Sequence, residues 1–85
     1  MSYDISLRDM EAELNVTYNY AKHVAFRELH GRKANETIPW LEVAIARLGT
    51  ERSAGYWEPT EGNAGFACVI LLWFARLHPE GIWEV

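Results

Sequence analysis

The 85-residue sequence predicts a mainly α fold: a compact three-helix domain, with helices over roughly 17–29, 38–48 and 61–77, and at most a short two-stranded sheet made by the termini. Three observations carry this. Ile38, Leu41, Ala44, Ile45 and Leu48 recur at the i, i+3, i+4, i+7 spacing of a helix with one apolar face. Residues 64–75 run for twelve positions without a charge or an amide. Both ends alternate apolar and polar residues with the period of a half-buried strand. A composition of 49% hydrophobic and 24% charged residues is that of an ordinary folded chain, and its length fits a single domain.

Taken in order, Tyr3, Ile5 and Leu7 alternate with Asp4 and Ser6, which reads as a short strand. Residues 10–14 read either as a helical turn capped by Asp9 or as an extended lead into the 15–20 segment. Asn15, Thr17 and Asn19 offer caps for the first helix, behind which Tyr20, Ala21, Val24, Phe26 and Leu29 supply its apolar face until Gly31 stops it. Thr37 caps the second helix, Pro39 sits in its first turn, and Gly49 takes the position after its end. Residues 49–59 form a loop whose aromatics, Tyr56 and Trp57, are expected to pack on the body of the domain. Thr60 caps the third helix, Glu61 complements its dipole, and Pro79 stops it. The alternation of residues 81–85 makes a second strand, expected to pair with the first and tie both ends down.

Twelve helical residues rise about 18 Å, against about 30 Å for the hydrocarbon core of a bilayer, so the 64–75 run cannot span one. It has to be covered by protein. At 100° per residue Phe66, Ile70, Trp73 and Leu77 form one stripe. Either the first two helices and the sheet bury this stripe, or a second chain does. Leaving two such side chains wet would forgo about 3–6 kcal/mol in a small domain. Phe66, Ile70 and Trp73 are therefore the expected contact stripe for a homodimer or a tight heteromeric partner.

A net charge of −4 argues against nucleic acid as a partner, since His30, Arg32 and Lys33 are too few to displace counterions from phosphates. One cysteine, Cys68, excludes an internal disulfide, and Met1–Asp4 has neither the positive nor the apolar region of a secretory signal, which reads as a cytoplasmic protein. Burial within the apolar run makes Cys68 structural. His23, His30 and His78 have no metal-ligand spacing, no two carboxylates are set as an acid–base pair, and the residues imply no cofactor and no catalytic group. Gly62 and Gly65 near the start of the third helix read as close backbone packing, because Glu61 repels an anion there. The most ligand-like stretch is 15–20, where Tyr18 and Tyr20 stand among amides; with Trp40 they complete the candidate partner-binding set.

The segments Met1-Ser2-Tyr3-Asp4-Ile5-Ser6-Leu7, Asn15-Val16-Thr17-Tyr18-Asn19-Tyr20-Ala21 and Tyr56-Trp57-Glu58-Pro59-Thr60-Glu61-Gly62-Asn63-Ala64 resemble a family of small uncharacterised bacterial and phage proteins. The resemblance covers most of the chain and carries no known activity. It implies relatives with a Gly-rich segment before the second motif, which this chain lacks, and with basic residues where this chain has Gly65 and Phe66. By analogy it points to a compact, non-enzymatic interaction module, phage or prophage encoded, that binds and inhibits a bacterial host complex such as a defence system. Two alternatives stand beside it. One is a small-ligand or enzymatic domain with a polar pocket between the 15–20 turn and the start of the third helix, holding Asn15, Tyr18, Asn63 or Glu58. The other is a protein that only self-associates.

Overall fold

A computed structural model describes Met1–Val85 and places two helices against a three-stranded antiparallel sheet. Strands β1 (Ser2–Leu7), β2 (Glu13–Thr17) and β3 (Trp83–Glu84) lie in the order β2-β1-β3. The expected pairing of the two ends is present, with Ser6 opposite Glu84 and Leu7 opposite Trp83. The mainly α, three-helix expectation is not: the domain is α+β, because residues 13–17, expected as the lead and caps before the first helix, pair with β1 as a further strand, and the 17–29 segment forms no α-helix. In β2, Leu14 and Val16 face the same side as Ile5 and Tyr3, while Glu13, Asn15 and Thr17 face outward with Ser6, Asp4 and Ser2. Asn, Val, Thr and Tyr are weak helix formers, and Val and Thr suit a pleated surface, so local preference agrees with the strand. Residues 8–11 turn the chain between the two strands, with Asp9 at a positive φ of 62° that Asp tolerates better than most residues.

The remainder of the expected first helix is two 3₁₀ turns, Tyr18–Lys22 and Phe26–Leu29. Side chains pull this segment away from a continuous helix. Thr17 accepts from Asn19 N–H, the Asn19 amide donates to Trp57 O at 2.6 Å, and the Tyr20 hydroxyl donates to Tyr56 O. Phe26 and Leu29 still reach the core and are fully buried.

Helix α1 (Ala34–Leu48) begins four residues before the expected start, so Thr37 does not cap it and Pro39 lies inside it. The first N–H groups are satisfied from across the molecule: Ala34 N–H donates to Gly81 O and Asn35 N–H to Pro79 O. Thr37 is buried in the first turn, where its hydroxyl donates to Ala34 O at 2.7 Å and accepts from the indole N–H of Trp83 at 2.8 Å. Trp83 has no exposed surface, so this bond locks β3 to α1. Thr37→Val leaves that indole N–H buried without a partner, which costs about 1–3 kcal/mol. For a domain of this size the melting temperature should fall by about 4–24 °C, read by thermal circular dichroism.

Helix α2 (Glu61–Leu77) has the expected bounds, with Thr60 as N-cap accepting from Asn63 N–H at 3.1 Å. Its inner face, including Ala64, Cys68, Leu71, Leu72 and Ala75, packs on α1 and the sheet. The close backbone packing expected at Gly62 and Gly65 is present. A Cβ on Gly62 would lie 1.8 Å from Glu51 O, and one on Gly65 would lie 1.7 Å from Gly49 O. The loop leaving α1 therefore runs directly over the start of α2. Its aromatics do not pack on the body as expected: Tyr56 is 71% and Trp57 59% exposed, stacked edge-on at 5.7 Å, because the carbonyls of these residues, not their rings, make the contacts to 19–20.

Candidate functional site

An open cleft of about 810 Å³ lies between β2, the 52–56 stretch of the loop and the first turns of α2. Phe66 and Ile70 line it from α2, Leu14 to Thr17 from β2, and Tyr20 and Tyr56 from the segments that follow β2 and α1. Arg52 is the one charged lining residue; its guanidinium lies 4.4 Å above the Phe66 ring and takes part in none of the three ion pairs of the chain. The loop beside the cleft is fixed to the start of α2 by a polar knot centred on buried Asn63. The Asn63 carbonyl accepts from Ser53 N–H at 2.9 Å, and its amide donates to Ser53 Oγ, Gly55 O and Glu58 O.

That knot decides which groups remain for a ligand. Asn63 spends its polar atoms within the loop, and the Glu58 carboxylate accepts from Gly55 N–H at 3.1 Å. The Asn15 amide reaches away from the cleft to Ser2 Oγ at 2.7 Å and Asp4 Oδ1 at 2.8 Å. The Tyr20 phenol is held above its ordinary pKa, first by burial and then by Tyr56, and donates to Tyr56 O. The side chains expected to make a polar small-molecule pocket are thus satisfied within the fold. What remains open is apolar wall, the Arg52 cation and backbone.

Of the residues singled out from the sequence, Asn15, Tyr20, Asn63, Phe66 and Ile70 line this cleft, which lies between the 15–20 segment and the start of the third expected helix. Tyr18 does not line it; its ring packs on Tyr3 with centroids 4.4 Å apart. Trp40 is half-buried on α1 beside a separate small pocket of about 110 Å³. Trp73 lies beyond the cleft on the same side of α2, 58% exposed, followed by Leu77 at 72%. The alternative in which the first two helices and the sheet bury the whole stripe is therefore corrected. Helix α1 and the sheet cover the inner face only, and a stripe from Phe66 to Leu77 is left partly or largely open. The sequence does not mark Arg52 or Tyr56 as site residues; they sit in a loop with no periodicity, and only the density of aromatics around residues 56 and 57 signals it.

Cys68 is fully buried on the closed side of α2, and burial pushes its thiol up to about 12, with Arg47 opposing this weakly. The raised value means that the proton is held more tightly in the folded state. That contribution is complete below the unfolded value near 9 and is lost as pH rises towards 12. At pH 7.5 the folded protein should not react with a maleimide, and reaction should become complete in denaturant; rapid labelling of the native chain would contradict the packing of Cys68.

No helix is long and apolar enough to cross a membrane, and no three His, Cys, Asp or Glu side chains gather as a metal site would require. No family model and no solved structure matches the chain. Among curated proteins, a 65-residue stretch is 29% identical to a protein named FAD-linked oxidoreductase orf1 from Neocamarosporium betae. The match covers 71% of this chain but 11% of that protein, so the chain spans a small part of the relative's length.

Proposed function

We propose that the protein is a non-enzymatic protein-interaction module that takes its partner on the cleft and along the open stripe of α2. The observation that supports this reading most is that the cleft walls are apolar at Phe66 and Ile70 while the ligand-type side chains Asn15, Asn63 and Glu58 are already hydrogen-bonded within the fold. Trp73 and Leu77 extend the apolar surface beyond the cleft, and aromatic anchors of this kind dominate protein interfaces. The host-directed form of the reading, occupation of a bacterial complex by a phage-encoded protein, rests on the motif resemblance, and phage neighbours of the gene are its direct check.

Affinity capture from a bacterial lysate tests the reading with three baits: the unaltered chain, Ile70→Arg at the cleft, and Trp40→Arg beside the separate small pocket. The expected result is a partner retained by the unaltered chain and by Trp40→Arg and lost with Ile70→Arg, all three baits having the same circular dichroism. A captured set that does not change between the three baits contradicts the reading. So does a light-scattering profile showing only a homodimer that Ile70→Arg breaks.

A further inference from the structure

The cleft is bounded on one side by the edge of a strand and not by its face. Leu14 and Val16 point to one side of the sheet and Asn15 and Thr17 to the other, yet all four line the cleft, which is possible only along the strand's rim. The ladder shows which backbone groups stand there. Tyr18 N–H donates to Met1 O and Leu7 N–H donates to Ala12 O, so with the observed register the hydrogen-bonded partners of β1 are residues 12, 14, 16 and 18. The alternate residues turn their backbone groups away from β1. Since β2 is the outermost strand, Asn15 N–H and C=O and Thr17 N–H have no strand to bond and face the cleft.

We infer that the cleft binds an extended peptide segment of a partner protein by strand addition to β2, with an apolar side chain of the peptide between Phe66 and Ile70 and an acidic one at Arg52. The inference rests on the interaction reading above and names its partner chemistry. Backbone amides spaced as a strand are the complement of another strand. Four residues at about 3.3 Å each run about 13 Å, enough to follow the cleft wall from Leu14 to Thr17. Alternation then sends one peptide side chain to the apolar wall of α2 and leaves its neighbours outside. Arg52, with its guanidinium outside every ion pair of the chain, sets the preference for a carboxylate in an otherwise acidic protein.

The test begins with selection of binders from a display library of randomised nine-residue peptides on the full chain, followed by titration of the selected peptides, synthesised, into ¹⁵N-labelled protein. Shifts are expected at the Asn15, Thr17, Phe66 and Ile70 amides, and the selected peptides should share one Asp or Glu. N-methylation of alternate peptide amides should weaken binding by about tenfold in one phase and leave it unchanged in the other, since about 1.4 kcal/mol of lost hydrogen bonding is a factor of ten. Asn15→Pro should weaken binding by a similar factor with an unchanged circular dichroism spectrum, because proline is tolerated where the N–H faces outward from an edge strand. Arg52→Glu should abolish the preference for acidic peptides. Peptides that shift Phe66 and Ile70 but tolerate both Asn15→Pro and every N-methylation would overturn strand addition and leave the interaction reading standing. Selected peptides that shift none of these residues would overturn both. Concentration-dependent shifts of Asn15 and Thr17 in the protein alone would make the occupant a second copy and overturn the peptide assignment.

Discussion

Gly65→Ala is expected to lower the melting temperature by at least about 12 °C, the equivalent of about 3 kcal/mol in a domain of this size. Two effects of opposite sign meet at this position. Gly65 lies inside α2, where alanine would favour the helix by up to about 1 kcal/mol. The added methyl would also lie 1.7 Å from Gly49 O and 2.9 Å from the carbonyl carbon. Those atoms are backbone, so no rotamer change relieves the contact; Gly49 would have to move, or α1 and α2 would have to separate. Gly49 itself holds a φ of 75° and donates to Ile45 O to end α1, so moving it also unmakes the end of that helix. Overpacking of this kind costs about 1–3 kcal/mol where side chains can yield and more where they cannot, which outweighs the gain in propensity. Thermal circular dichroism reads the result, and a melting temperature equal to or above that of the unaltered chain would mean that the loop does not cross α2 here.

Leu72→Asp should unfold the chain outright. Leu72 is 7% exposed and belongs to the core shared by α2, α1 and the sheet. Loss of the leucine packing costs about 2–5 kcal/mol, and a carboxylate left in that place without a partner adds several more. For 85 residues the whole stability is about 4–13 kcal/mol. The neighbouring Trp73→Asp should retain native helix content, since Trp73 is 58% exposed and needs no desolvation of the new charge. A Leu72→Asp protein with the ellipticity and melting curve of the unaltered chain would reverse the orientation of α2.

These two residues also mark how far the sequence could be read. Helix α2 was legible to its ends because its signals are local: Thr60 as cap, Glu61 in the first turn, Pro79 beyond the last. The glycine contacts were legible for the same reason, since Gly62 and Gly65 have no other use beside Glu61. The start of α1 was not, because the carbonyls that satisfy Ala34 and Asn35 come from Pro79 and Gly81, nearly fifty residues away in the chain, while Thr37 and Pro39 imitate a helix start. Strand β2 was missed for a related reason. Asn15, Thr17 and Asn19 serve equally as caps and as outward strand or turn residues, and four alternating positions are too short a signal until β1 is known to pair with them. Half of the site was hidden with it. Tyr20, Phe66 and Ile70 could be named from aromatic content and helical spacing, and Asn15 and Asn63 from the alternative pocket between the 15–20 turn and the third helix, whereas the free rim of β2 and the place of Arg52 exist only once the sheet and the 52–56 stretch are folded together.

Amide hydrogen exchange along β2 tests most directly whether the cleft is walled by an unpaired strand edge. Val16, which the register bonds to Tyr3, should exchange slowly, at rates set by opening of the domain, and Leu14, bonded to Ile5, should do the same. Asn15 and Thr17, between and beside them in the same strand, should exchange orders of magnitude faster, since their N–H groups face the cleft. Uniform protection across residues 14–17, with Asn15 as slow as Val16, would contradict the open edge and the binding site built on it.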